Sequence, residues 1–277
     1  MKISGSIGIQ VLEKNINNNL KKILIFSDAH SGIPYCENNY ISITNWLKKK
    51  LNGNYQILLE EVKRKSIILK ELWPTSPHIQ ELKKLYLTGE ENIIPIDIRP
   101  YLIPFSWELI DIDNKLGKIL LKDYISKLNK LFNNDLNYFN FIIKSLIKKK
   151  LSKSSILGDH FNKLSSNLKK INKENKNLLD KDLNYVIVNN RNSLININNL
   201  LDLIMEWYII VNIFSTEKVS IIHTGLYHSE KIIKLLINNY NFKSIYNYGT
   251  NNVKDTNNNI TSCVYFPKKL NKYFGFV

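Results

Sequence analysis

Four short apolar runs, Ile23-Leu24-Ile25-Phe26, Ile57-Leu58-Leu59, Ile93-Ile94-Pro95-Ile96 and Val219-Ser220-Ile221-Ile222, constrain the fold of this chain more than any other feature. Runs of this length without polar alternation suit strands buried on both faces, and the stretches between them carry helical spacing. Strand, helix and strand in repetition predict an α/β fold: a mostly parallel central sheet flanked by helices, with right-handed crossovers. With 277 residues the chain can form one large domain, or a domain with an insertion.

The pattern is interrupted. Residues 1–112 read as the first part of the α/β core, with a small edge strand at Ile3–Ile9, a strand at Lys21–Ser27, a helix around Ile41–Leu47, and strands at Gln56–Glu60 and Ile93–Arg99 that Pro100 closes. Residues 113–184 read as a helical insertion or cap, since Leu116, Ile119, Leu120, Tyr124, Leu128 and Leu131 recur at helical spacing and Lys148-Lys149-Lys150 suits a solvated face. Residues 185–277 return to the core through a helix at Ile195–Phe214, the strand before His223, a helix at Ser229–Asn239 and a final strand pair near Lys243–Ile245 and Ser262–Phe266.

The net charge of +15 is a weak indicator of partners. It comes from 36 Lys against three Arg (Arg64, Arg99 and Arg191), and Asn, Ile and Lys together make 116 residues, as an A/T-rich coding sequence would give. Neither arginine nor aromatic residues cluster with the lysines along the chain, so a specific nucleic-acid reader is not expected, while non-specific attraction to polyanions stays open. Cys36 and Cys263 lie in different halves of the sequence, which excludes a disulfide framework or a four-cysteine zinc site and points to a reducing, intracellular setting. No signal-peptide core is present at the start, and no stretch reaches the ~18 apolar residues of a membrane span. The phosphate loop, the dinucleotide fingerprint, the zinc-protease helix motif and the serine nucleophile elbow are all absent, which argues against NTP hydrolysis, hydride transfer and serine esterase chemistry.

Each strand end offers a chemical group. The first carries Asp28 and His30, the second Glu60 and Glu61, the third Asp97 and Arg99, the fourth His223 and His228. Loops after the carboxyl ends of parallel strands share one edge of the sheet, so these groups are expected to converge. Gly225 lets the chain turn off the strand and Ser229 is the expected N-cap of the next helix, which puts His228 where the helix dipole favours a neutral imidazole able to bind metal or accept a proton. Asp28 would fix the tautomer of His30, and Glu60 would be buried or half-buried while Glu61 and Lys63 are solvated, unless Glu60-Glu61 opens the next helix, where acids are favourable. Structural alternatives accompany each reading: a core-bonded His223, a capping His228, an Asx-turn at Asp28, and a salt bridge from Arg99 to Asp97 or Glu108 in place of an anion clamp. His78 and His160 sit in polar helical contexts and are set aside.

The ordered set Asp28-x-His30, Glu60, Ile96-Asp97-Ile98-Arg99, Arg191-Asn192 before a long helix, and Gly225-x-x-His228 resembles the erythromycin-esterase/ChaN-like and TIKI/TraB superfamily over both α/β segments. The Asn-, Ile- and Lys-rich composition suggests a version from a large DNA virus or another A/T-rich genome. The resemblance implies a cleft in which His30, Glu60 and His228 form the catalytic or metal-binding set, on a divalent ion or without one, supported by Arg99 and His223. The first motif reads Ser-Asp-Ala-His where relatives commonly carry Gly first. The implied activity is hydrolysis of an ester or amide in a small-molecule or peptide substrate. The alternative is a non-catalytic interaction or virion-associated protein that keeps the fold.

Overall fold

The computed structural model describes residues 1–29, 36–51, 53–62, 82, 85, 91–111, 113–132, 156–256 and 260–276. His30, Lys63, His78 and the Lys148–Lys150 run lie outside the described residues. In chain order the elements are β1 (Lys2–Ser4), β2 (Gly8–Ile16), β3 (Asn19–Asp28), β4 (Tyr40–Ser42), α1 (Ile43–Lys48), β5 (Tyr55–Val62), β6 (Ile93–Asp97), α2 (Arg99–Leu102), α3 (Leu121–Tyr124), α4 (Ser126–Phe132), α5 (Ile156–Glu174), α6 (Leu183–Phe214), β7 (Val219–Gly225), α7 (Leu226–Asn238), β8 (Lys243–Gly249), β9 (Cys263–Tyr265) and α8 (Lys268–Phe274). They divide into two compact units, the first made of Met1–Glu61, Thr75–Ile96 and Ile213–Val277, the second of Val62–Pro74 and Asp97–Asn212.

The first unit is α/β. Its six-stranded sheet has the order β6-β5-β7-β3-β2-β8, and a three-stranded sheet has the order β4-β1-β9. β5 and β3 both run parallel to β7, while β2 is antiparallel to β3 and to β8, so the large sheet is mixed and mostly parallel. The continuous apolar runs occupy its middle, as strands covered on both faces require. One face packs Ile9, Val11, Leu24, Phe26, Ile57, Leu59 and Ile221 into a core with Trp46 of α1 and the C-terminal Phe266, Phe274 and Phe276. Trp46 sits at its centre, with ring centroids 5.3 Å from Phe26, 5.4 Å from Phe266 and 5.2 Å from Phe276. Helix α1 starts where Ser42 Oγ accepts the Asn45 N–H.

The expected edge strand at Ile3–Ile9 is two strands in different sheets. Gly5 (φ 102°) breaks it, and β2 continues to Ile16, paired on both sides. The outer half of β2 is polar and gives no apolar signal, yet it is held by a hairpin whose two turn residues, Asn17 (φ 49°) and Asn18 (φ 66°), supply the left-handed conformations of a tight turn. The expected final strand pair separates as well: β8 joins β2 in the large sheet and β9 joins β1 in the small one. Helix α7 begins at Leu226, one turn earlier than Ser229, with Gly225 as its N-cap. Cys36 and Cys263, expected to stand apart, are disulfide-bonded with Cα atoms 4.9 Å apart. The inference of a reducing setting from their separation in sequence therefore loses its basis.

The second unit is helical among its described residues. It holds most of the segment read as 113–184 and the greater part of α6, which starts at Leu183, is interrupted by non-helical backbone at Asn190, and then runs on to Phe214. The boundary placed at residue 185 thus falls inside this element. α6 is long and apolar enough to cross a membrane, and most of its apolar window is buried within the protein. Two buried rings here bond to carbonyls: Tyr124 Oη donates to that of Phe105 at 2.9 Å, and Trp207 Nε1 to that of Leu157 at 3.3 Å.

Candidate active site

The parallel register of the central strands sorts the candidate residues. Phe26 and Leu59 both pair with His223, and Asp28 pairs with Gly225. Side chains alternate along a strand, so Asp28, His223 and Glu61 belong to the face of Phe26 and Leu59, while Ser27, Thr224 and Glu60 belong to the opposite face. Of the groups expected on one edge, Glu60 is therefore divided by the pleat from Asp28, Glu61 and His223 before any loop is considered.

On the face of Glu60 the three neighbouring strands end in polar side chains, each held from the C-terminal side. Ser27 Oγ donates to Asn251 Oδ1 at 2.7 Å. Thr224 Oγ1 and Ser229 Oγ are 2.7 Å apart, and Ser229 also donates to the Thr224 carbonyl at 3.2 Å. Ser229 therefore fixes the strand-to-helix turn from within α7 and does not cap it. Glu60 Oε2 accepts the Gly225 N–H at 2.6 Å, and Oε1 lies 3.7 Å from His228 Nε2. The side chains of Glu60 and His228 are 9% and 8% exposed, so their interaction is little screened by solvent. Gly225 has φ −56°, which any residue adopts; at this turn it contributes the N–H that orients Glu60.

This pair can do defined chemistry. A separation of 3.7 Å exceeds a direct hydrogen bond, yet one water can lie ~2.8 Å from both atoms. Two donors so spaced can also share one divalent ion at ~2 Å from each. Among the described residues no group of three or more His, Cys, Asp or Glu gathers as metal ligands would, and His30, the third expected ligand, lies outside them.

On the opposite face His223 is buried, with Nε2 3.2 Å from the Gly5 carbonyl. A carbonyl only accepts, so Nε2 is the protonated nitrogen in this bond. Asp28 is buried at the end of β3. Glu61, expected in solvent, is also buried, because β5 continues past Glu60 and the pleat turns the Glu61 side chain to the opposite face. In the second unit Arg99 is gripped by two carboxylates: Nε and Nη2 donate to Asp97 at 2.9 and 3.0 Å, and Nη1 to Asp202 at 2.8 Å. Of the two expected carboxylate partners, Asp97 is found, whereas Glu108 accepts from Ser106 Oγ at 3.4 Å. Arg191 stacks over the Trp107 ring, 4.9 Å from its centroid.

Asp202, Asn251 and Thr224 carry no role in the sequence reading, and Ser229 enters it only as a helix cap. Asp202 sits amid apolar helical spacing, where a lone acid facing inward implies a partner, and that signal was available. Asn251 lies in a polar loop indistinguishable from others in so Asn-rich a chain.

The fold and site define an α/β protein with a sheltered carboxylate–imidazole pair at the C-terminal ends of parallel strands. No protein-family model, curated protein or solved structure matches this chain.

Proposed function

We propose that this protein is a hydrolase in which Glu60 and His228 bind and activate a water for attack on an ester or amide, as the resemblance to the erythromycin-esterase/ChaN-like and TIKI/TraB superfamily implies. The observation that carries the reading is the posture of Glu60: one oxygen fixed by the Gly225 N–H, the other presented to His228 in a water-poor site. A fixed carboxylate beside an imidazole is the arrangement of general-base catalysis, in which the acid orients and the histidine takes the proton. His30 would complete the set, and with a divalent ion bound the three would be its ligands, the ion supplying Lewis acidity. Arg99 has its planar donors engaged by Asp97 and Asp202, which favours a structural part for it over the binding of an anionic substrate.

The test is hydrolysis of a panel of activated esters and short peptides, with and without added divalent ions, by the wild type, Glu60→Gln and His228→Asn. Activity in the wild type and its loss in both variants supports the reading. Activity that survives both substitutions overturns it.

One observation favours a second reading, a non-catalytic protein that retains the fold: the Gly225 N–H contact is also what a purely structural carboxylate would make. On that reading the same variants change stability, and the wild type hydrolyses nothing in the panel.

A further inference from the structure

Folding gathers aromatic residues that the sequence scatters. In the three-stranded sheet Lys2 is in register with Tyr40 on one side and Tyr265 on the other, so the three side chains form one row on one face. The neighbouring residues Ile3 and Val264 point the other way, into the core. The edge strand β8 extends the row: the Tyr248 ring centroid is 6.3 Å from that of Tyr265, and Tyr246 Oη donates to the Tyr265 carbonyl at 3.3 Å. Lys269 Nζ stands 5.8 Å from the Tyr246 ring centroid. Tyr40, Tyr248 and Tyr265 are 52%, 44% and 47% exposed, so each presents ring surface to solvent.

The strands that carry these rings, with helices α1 and α8, contain charge of one sign. β1, β4, α1, β8, β9 and α8 together contain Lys2, Lys48, Lys243, Lys268, Lys269 and Lys272 and no Asp or Glu. An acidic protein would satisfy the lysines without requiring a row of ring faces, and duplex nucleic acid keeps its bases stacked inside. A single strand offers both complements: phosphates for the lysines and unstacked bases for the rings. We propose that the Tyr40–Lys2–Tyr265–Tyr248 row is a binding platform for single-stranded nucleic acid, tolerant of sequence because it works through stacking and phosphate charge. The row itself contains no arginine, consistent with the absence of bidentate base readout.

The probe is a fluorescently labelled oligodeoxythymidine, titrated with the full-length protein at low ionic strength, with a duplex of equal length and polyglutamate as competitors. The expected results are tighter binding of the single strand than of the duplex, and poor competition by polyglutamate. Tyr265→Leu and Tyr248→Leu should each weaken binding about tenfold, whereas Tyr265→Phe and Tyr248→Phe retain it. Lys2→Ala and Lys269→Ala should each lower the salt slope by about 0.7 where the lysine meets a phosphate. If Tyr265→Leu disturbs folding, as circular dichroism would reveal, Tyr40→Leu and Tyr248→Leu carry the test. The proposal is overturned by absence of binding at low salt, by Leu variants that bind as the wild type does, or by polyglutamate competing as well as the oligonucleotide.

Discussion

Glu60 Oε1 stands 3.7 Å from His228 Nε2, while its other oxygen holds the N–H of Gly225, the residue that caps the helix bearing that histidine. One carboxylate thus ties the end of β5 to the start of α7, and the tie can be separated from the chemistry. Glu60→Gln keeps an oxygen for the Gly225 N–H but removes the charge that faces His228. It should lower hydrolysis about 10²- to 10⁴-fold while moving the unfolding midpoint little. Glu60→Ala leaves the N–H unanswered and should cost about 1–3 kcal/mol as well. Steady-state rates measured beside denaturant unfolding distinguish the two, and equal stability losses in both variants would count against the division of roles.

Arg99 provides a stability test that is independent of catalysis. It pairs with Asp97 and Asp202, whose side chains are only 10% and 9% exposed, and its removal takes the same cation from both carboxylates. Arg99→Met should destabilise the protein by about 3–5 kcal/mol. In the double variant Arg99→Met/Asp202→Asn part of that loss should return, because one of the two buried carboxylates is gone. Urea unfolding of the single and double variants measures this coupling, and strict additivity of the two substitutions would refute it.

The central strands were legible because strands covered on both faces must be apolar throughout, and Glu60 and His228 were legible because each follows such a run. The same property hid the sorting of the site. With no alternation in Ile57-Leu58-Leu59 or Ile221-Ile222, nothing in the sequence says which face Glu60 takes, or that His223 faces away from it; only the pairing of His223 with Leu59 and Phe26 decides it. β2 was half-hidden because Glu13-Lys14-Asn15 gains its place from partners in β3, with Glu13 also paired to Lys243 of β8. The helix start at Leu226 was misplaced because Ser229, a good cap by type, spends its hydroxyl on Thr224. The pairing of Cys36 with Cys263 spans 227 residues, and no local pattern reports so distant a contact.

That disulfide joins β9 to the segment ahead of β4, across the three-stranded sheet, where Cys36 N–H also donates to Ser4 Oγ at 3.4 Å. Cross-linking residues so far apart in sequence restricts the unfolded chain strongly, and its loss should cost about 3–5 kcal/mol. Reductant should lower the unfolding midpoint of the wild type and leave that of Cys36→Ser/Cys263→Ser unchanged. A wild-type midpoint indifferent to reductant would show that the bond does not form.

His160 gives the protein a pH dependence whose sign is fixed. Burial in α5, and then the positive charge of Lys163 one turn along, hold its pKa below the ordinary 6.5. The folded protein therefore binds this proton less readily than the unfolded chain, and unfolding takes up a proton between the folded value and 6.5. The stability linked to the neutral ring is fully present above 6.5 and is lost as pH falls through the folded value. His160→Gln cannot titrate, so its unfolding midpoint should fall less than that of the wild type between about pH 7 and pH 5. The difference between the two curves isolates this histidine from every other group that titrates in the interval, and two parallel curves would assign the acid sensitivity elsewhere.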